Sequence, residues 1–228
     1  MKISGLQKVT LLDYPGKVAA TVFTPGCNLR CPFCHNASLV LQPGGEDFPP
    51  EEVLGFLKKR RGVLDGVCVS GGEPLLQPDL SDFLGRVQAL GFAVKLDTNG
   101  TNPALLGRLI REGLVDYVAM DVKNSRERYG QTVGVPGFDC SAVEESVSLL
   151  LRGTVDYEFR TTVVRGLHDD ESFSAIADWI GGAKRYFLQN FVDSGDLISP
   201  CEGFSRQEME GFLRLLSGRM AHVELRGI

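Results

Sequence analysis

Three cysteines within eight residues, Cys27, Cys31 and Cys34, stand in the spacing C-x3-C-x2-C. Three thiolates so placed can hold three corners of an iron-sulfur cubane and leave its fourth iron open to bind another molecule. Clusters that only carry electrons are held by four cysteines, so a triplet with no fourth thiol nearby points to chemistry at the open corner. His35 follows directly, and Cys27, Cys31, Cys34 and His35 would alternatively make a structural zinc site. Zinc ligands more often come as two separated C-x-x-C pairs, and a histidine next to the last cysteine is awkwardly placed to join them.

Further polar motifs share a context with the cysteine loop. Gly71-Gly72-Glu73-Pro74 comes directly off an apolar run, where two glycines let the backbone approach a ligand closely. Asp97-Thr98-Asn99-Gly100 and Asp121-Val122-Lys123 end two more such runs. Asp97 to Gly100 reads equally as a strand-ending Asn-Gly turn, and Lys123 as a solvated lysine in the charged run to Arg128. Arg160 lies among Phe159, Thr161 and Val163; if buried there it needs a partner, and an exposed edge position serves it as well.

The elements that must position these residues are short β-rich runs alternating with amphipathic helical stretches, the pattern of βα units around a parallel sheet. The strand candidates are Val18–Phe23, Gly66–Ser70, Ala93–Asp97, Tyr117–Asp121, Tyr157–Val163 and Arg185–Asn190. Helical stripes follow: Leu80, Phe83, Leu84 and Val87; Val143, Val147, Leu150 and Leu151; Phe173, Ile176, Ala177 and Ile180. Another helix opens at Asn102-Pro103 and stops at Gly113, and the last opens on a Ser205-x-x-Glu208 capping box. Six units are too few for a closed eight-stranded barrel, so the expected fold is α/β, a partial (β/α)6 barrel with parallel strands. Ligands gather at the carboxyl ends of such strands, which puts all four polar motifs at one mouth.

With the cysteine loop and the Gly71–Pro74 turn in this order, the chain resembles the radical S-adenosylmethionine superfamily. That resemblance implies a 4Fe-4S cluster on Cys27, Cys31 and Cys34, with its unique iron chelating the amino and carboxylate groups of S-adenosylmethionine. One electron from the reduced cluster would then cleave the sulfonium carbon-sulfur bond to give methionine and a 5'-deoxyadenosyl radical. Gly71, Gly72, Glu73 and Pro74 would present backbone to the cofactor's amino group. Leu96 to Gly100 and Met120 to Lys123 look like segments of glycyl-radical-enzyme activating enzymes, pyruvate formate-lyase activating enzyme among them. By that likeness Lys123 reaches the cofactor carboxylate as a point charge, and Asp97, Asn99 and Arg160 also contact the cofactor. Asp97, Thr98, Met120 and Asp121 would form a monovalent-cation site.

Those relatives carry a histidine near the end of a late strand, where this chain reads Leu188-Gln189-Asn190-Phe191-Val192, leaving Gln189 or Asn190 as substitutes. The difference argues against pyruvate formate-lyase as partner. Gly5-Leu6-Gln7-Lys8 and Asp13-Tyr14-Pro15-Gly16-Lys17 resemble the anaerobic ribonucleoside-triphosphate reductase activating proteins. The implied partners are a glycyl radical enzyme, as protein substrate, and an electron donor such as flavodoxin or ferredoxin. The loops Tyr129–Asp139 and Asp193–Phe204 are expected at the mouth, where they meet the partner. A radical enzyme for a purine-like or other small molecule, and a zinc-stabilised binding module without catalysis, are the alternatives.

Composition bounds the reading. The 228 residues, 43% hydrophobic and 23% charged, suit one domain over residues 1–228, with an N-terminal extension over about 1–16. No apolar run approaches the roughly 20 residues of a membrane span, and MKISGLQKVT lacks a signal-peptide core, so a cytoplasmic location is expected. The net charge of −5 is interspersed, with no basic stripe for nucleic acid. Of the other cysteines, Cys68 reads as a buried strand residue, while Cys140 and Cys201 stand alone. His35, His168 and His222 receive no catalytic role.

Overall fold

The computed structural model describes residues 1–41 and 48–227. Eight strands form one sheet in chain order: β1 Gly5–Thr10, β2 Ala19–Thr24, β3 Gly66–Gly71, β4 Ala93–Thr98, β5 Tyr117–Asp121, β6 Asp156–Val163, β7 Tyr186–Asn190 and β8 Val223–Arg226. β1 runs antiparallel to β2 and every later neighbour is parallel. Among the described residues no pairing joins β8 to β1, so β2 to β7 and their helices make an open barrel of six βα units. The helices are α1 Ala37–Leu41, α2 Pro50–Lys58, α3 Leu80–Ala89, α4 Pro103–Arg111, α5 Tyr129–Thr132, α6 Ser141–Leu151, α7 Asp170–Ile180 and α8 Arg206–Ser217.

The six expected strands are β2 to β7, with ends differing by a residue. β1 and β8 are additions. β1 lies inside the stretch expected as an extension and β8 near the carboxyl end. Both are edge strands with exposed polar positions, Gln7 and Lys8 in one and Glu224 in the other, so neither shows the apolar run that betrays a central strand. Local chemistry sets the helix starts as expected. The Asn102 side chain accepts from Leu105 N at 3.1 Å, and the Ser205–Glu208 capping box is reciprocal.

Alternation along the strands sorts two layers. Val67 and Val69, Val94 and Leu96, Val118 and Met120 pack outward against Leu80, Leu84, Leu106, Leu109, Val143 and Val147 of the helices. Fully burying each such side chain contributes about 1.5–3 kcal/mol, which fixes the register. A one-residue slip would exchange faces, driving Lys95 and Asp97 into the apolar layer. In the correct register Thr21, Cys68, Lys95 and Tyr117 align across β2 to β5 inside the barrel. Tyr14, Ala19, Tyr117 and Ala119 cluster apart from the main core and close its floor. Six parallel strands then deliver their carboxyl ends to one mouth.

Candidate active site

The cysteine loop leaves β2 and lines one cavity together with the ends of β3 to β7. Cys27, Cys31 and Cys34 share that cavity with Gly71, Gly72, Asp97, Thr98, Asn99, Asp121, Lys123, Arg160 and Gln189. Cys31 is buried and the other two are half-buried. Burial pushes the Cys31 thiol up to about 11, so loading a metal there must displace its proton. Both glycines are demanded by the loop itself. A Cβ at Gly71, whose φ is +116°, would lie 2.4 Å from the Thr24 backbone, and one at Gly72 would lie 1.9 Å from the Gly26 carbonyl oxygen. Asn36 Nδ2 donates to the Gly71 carbonyl at 2.9 Å, tying the turn to the cysteine loop.

Inside the mouth runs a ladder of alternating charges, Lys95–Asp97–Arg160–Asp121–Lys123. Lys95 Nζ bonds Asp97 Oδ1 directly, and Arg160 Nη1 reaches Asp97 Oδ2 at 3.4 Å. Arg160 Nε stands 2.9 Å from Asp121 Oδ1, and Lys123 Nζ stands 2.8 Å from Asp121 Oδ2. The register opposes Asp121 to Arg160 across β5 and β6. Burial alone would raise Asp121, but Arg160 and Lys123 outweigh it and hold the carboxyl well below the usual range. Asp97 is likewise lowered against its burial, by Arg160 and then Lys95. Burial disfavours a charged Lys123, yet Asp121 keeps it protonated far above the usual lysine range. Three cations against two carboxylates leave a surplus positive charge, suited to an anionic group such as a carboxylate.

Several expected site residues sit elsewhere. Glu73 and Pro74 are buried and do not line the cavity. Glu73 Oε1 accepts from Leu75 N at 2.9 Å and Thr98 Oγ1 at 2.8 Å, and Oε2 from Asn99 N at 2.6 Å, so it pins the end of β4 to the glycine turn. Met120 is fully buried in the outer layer, its methyl against Gly100. Arg160 occupies the space between Asp97 and Asp121, and Thr98 gives its hydroxyl to Glu73. Of the four residues expected around a monovalent cation, Thr98 and Met120 are register partners across β4 and β5, and Asp97 and Asp121 face one cavity with Arg160 between their carboxylates. Gln189 faces the cavity, whereas Asn190 is turned to Phe204, accepting from its N at 3.0 Å and donating to its carbonyl at 2.8 Å.

Three donors on one carboxylate give a test. Glu73→Gln must turn an amide N–H toward a donor and should cost about 1–3 kcal/mol, read as a lower urea midpoint. Burial raises this carboxyl to about 7 against its three donors. The folded-state value lies above the unfolded one, so its contribution is fully present below the usual glutamate range and lost as pH rises through about 7. The gap between wild type and Glu73→Gln should therefore narrow from pH 5 to pH 8.

Sequence reasoning missed other residues around the site. Lys95 and Glu158 are buried charges inside the barrel. Glu158 accepts from Tyr117 at 2.9 Å and is held by both Nη atoms of Arg226 at 2.9 and 3.0 Å. The signal for Lys95 was its alternation with Val94 and Leu96. His168 is buried, and its Nε2 donates to the Lys123 carbonyl at 2.8 Å while Nδ1 accepts from Val164 N at 3.1 Å. It grips the backbone that presents Lys123. Both loops expected to face a partner also brace the cysteine loop. Arg30 N donates to Val133 O at 2.8 Å, Ser199 N donates to Pro32 O at 3.0 Å, and Ser38 Oγ donates to Asp196 at 2.8 Å.

The donor set and its surroundings fit an iron-sulfur cluster with an open corner. Thiolates ringing one zinc ion at about 2.3 Å would converge on a single point. Among the described residues no three His, Cys, Asp or Glu side chains converge so, and the His35 ring instead packs at a tilt against Phe191, with centroids 5.3 Å apart. A cubane would instead take each sulfur on its own iron, and the three cysteines line one shared cavity.

An open barrel with three thiols at its mouth is the architecture of radical enzymes that use S-adenosylmethionine. The Radical SAM superfamily profile matches residues 21–180, and the chain belongs to that superfamily, whose enzymes use a 4Fe-4S cluster and S-adenosylmethionine. It is 35% identical over 196 residues to a Methanocaldococcus jannaschii protein assigned as a glycyl-radical enzyme activating enzyme, covering 83% of this chain and 79% of the relative. A 7-carboxy-7-deazaguanine synthase from Thermoplasma acidophilum is 38% identical over 187 residues, covering 80% of this chain and 83% of the relative. The pyruvate formate-lyase-activating enzyme of Clostridium pasteurianum is 34% identical over 128 residues, about half of each chain (54% and 52%). Among solved structures, a radical SAM methyltransferase from Sphaerobacter thermophilus superposes with a TM-score of 0.72 at 16% identity, over 96% of this chain and 68% of that one. That likeness speaks for the fold. No described helix is long and apolar enough to cross a membrane.

Proposed function

We propose that this chain is a cytoplasmic activase that installs a glycyl radical on a partner enzyme. The observation that carries the reading is the convergence of three thiols, the Gly71–Gly72 turn and the charge ladder on one cavity. Cys27, Cys31 and Cys34 would hold the 4Fe-4S cluster. Gly71 and Gly72 bring backbone against the cofactor's amino end, and Lys123, with the surplus charge of the ladder, receives its carboxylate. When bound, the cluster and S-adenosylmethionine supply a 5'-deoxyadenosyl radical, which takes a hydrogen atom from the α carbon of a glycine. The chain's own work is to orient the cofactor and keep water from the mouth.

The M. jannaschii relative supports a protein substrate, and the side between β1 and β8, unpaired among the described residues, leaves a way in for a polypeptide loop. Anaerobic ribonucleoside-triphosphate reductase is the partner favoured by the N-terminal phrase, and a flavodoxin or ferredoxin supplies the electron. Incubating the reduced, reconstituted chain with that reductase and S-adenosylmethionine should give a doublet electron paramagnetic resonance signal from a glycine-centred radical on the reductase. Cleavage of the cofactor without any such signal, on this or another glycyl radical enzyme, would count against the reading.

A second reading rests on the T. acidophilum relative: a radical enzyme acting on a small heterocycle in the same cavity. Its mark would be turnover of such a substrate with no partner protein present.

A further inference from the structure

We propose that Asn99 sets the reduction potential of the cluster by donating an N–H···S hydrogen bond to Cys27. The inference rests on the reading that Cys27 is a cluster ligand. Asn99 follows the carboxyl end of β4 and is 6% exposed. Its amide cannot turn freely, because Oδ1 accepts from Thr101 N at 3.0 Å and from Thr101 Oγ1 at 2.7 Å. The backbone N–H of Asn99 is committed to Glu73 Oε2 at 2.6 Å. With the oxygen so held, Nδ2 must face the cysteine loop, where it stands 3.7 Å from Cys27 Sγ and 3.0 Å from Asn28 Oδ1. The longer distance is a hydrogen-bond length for an acceptor as large as sulfur.

Cys27 Sγ accepts a second donor, Leu29 N, at 3.4 Å. Among the described residues no comparable donor reaches the sulfur of Cys31 or Cys34. The three thiols are therefore inequivalent, and the one side-chain donor comes from a residue fixed by contacts on both of its other faces.

Hydrogen bonds to cluster sulfurs are a main determinant of cluster potential. Reduction adds one electron from an external one-electron donor and breaks no bond. It places more negative charge on the cluster and its sulfurs, so a fixed N–H donor stabilises the reduced form more than the oxidised one. Asn99 thereby makes the cluster easier to reduce. Its side chain is spent on the protein, which separates this role from direct contact with S-adenosylmethionine.

The test is a redox titration of the anaerobically reconstituted full chain with dithionite and mediators, following the reduced-cluster electron paramagnetic resonance signal, with iron per chain measured alongside. At the wild-type midpoint Asn99→Ala should lower the ratio of reduced to oxidised cluster about tenfold, a fall of about 59 mV for a one-electron couple. Asn99→Asp keeps an oxygen toward Thr101 and replaces the donor by an acceptor; it should shift the same way at least as far, and it decides the question if the alanine variant retains no iron. Thr101→Val removes the hydroxyl's ties to Asn99 Oδ1 and to Asn28 Nδ2 but keeps Thr101 N on Asn99 Oδ1 and so Nδ2 on the sulfur, and its ratio should stay within twofold of wild type. Ratios within twofold of wild type in both Asn99 variants would overturn the proposal, as would an equal shift in Thr101→Val, which would trace the effect to loop geometry. A wild-type chain that assembles no cluster would instead overturn the ligand reading.

Discussion

Asp121→Asn is expected to destabilise the protein by about 3 kcal/mol at neutral pH. The magnitude is the low end of what breaking a buried ion pair costs, because the Asp121 side chain keeps 27% of its surface exposed. The reason for so large an effect is position in the ladder. Among the described residues Asp121 is the only carboxylate paired with Lys123 and one of two for Arg160, so a neutral amide leaves Lys123 without a carboxylate and Arg160 sharing Asp97 with Lys95. Asp97→Asn should cost a comparable amount: Arg160 then keeps Asp121 at 2.9 Å, but Lys95, whose side chain is 2% exposed, loses the carboxylate it is paired with.

The pH dependence carries a sign. Asp121 is held below its usual value in the folded state, so its contribution is present above the unfolded value, near 4, and is lost as pH falls toward the folded one. Chemical denaturation of wild type and Asp121→Asn should therefore give a constant gap from pH 5 to pH 8, narrowing below about pH 4. A gap under about 0.5 kcal/mol throughout would mean that water screens the ladder as it does surface pairs. Binding of S-adenosylmethionine should weaken as well, because Lys123 would no longer be held in place.

Why some of this was legible in the sequence and some was not follows from range. The six central strands announced themselves because both faces of a parallel sheet are covered, giving apolar runs such as Gly66–Ser70. The cysteine loop, Asp97, Lys123 and Arg160 were legible because their chemistry is local to one strand end or, for Arg160, out of place within a strand. Glu73 was legible only as part of a turn. Its three donors include Thr98 and Asn99, brought to it by the pairing of β3 with β4, which no local pattern encodes. The same holds for the loops over residues 129–139 and 193–204. Their glycines and polar residues read as free surface, yet Val133, Asp196 and Ser199 brace a cysteine loop about 100 residues or more away. Lys95 was within reach, since strict alternation with Val94 and Leu96 turns it away from the helices, but a lone lysine in a short strand also suits an edge.

Cysteine substitution should divide the six thiols into two sets of three. Cys27→Ala, Cys31→Ala and Cys34→Ala should each lose nearly all cluster iron after anaerobic reconstitution. Cleavage of S-adenosylmethionine should fall more than about 100-fold, beyond what loss of an outer hydrogen-bonding partner costs. Cys68→Ala, Cys140→Ala and Cys201→Ala should retain both. The lone thiols cannot substitute, for a geometric reason in the case of Cys68. It is fully buried on the barrel wall, its sulfur 3.8 Å from Lys95 Nζ and below the mouth where Cys27, Cys31 and Cys34 open. Folding separates ligand loss from misfolding: each ligand variant should keep the wild-type far-ultraviolet circular dichroism spectrum, because the loop is braced by Arg30, Pro32, Asn36 and Ser38 rather than by its sulfurs. A ligand variant that kept full iron and full cleavage would break the assignment at that position. A wild-type chain that returned one tightly held zinc instead of iron would turn the same three residues into a structural site, and the charge ladder beneath them would then lack its anionic guest.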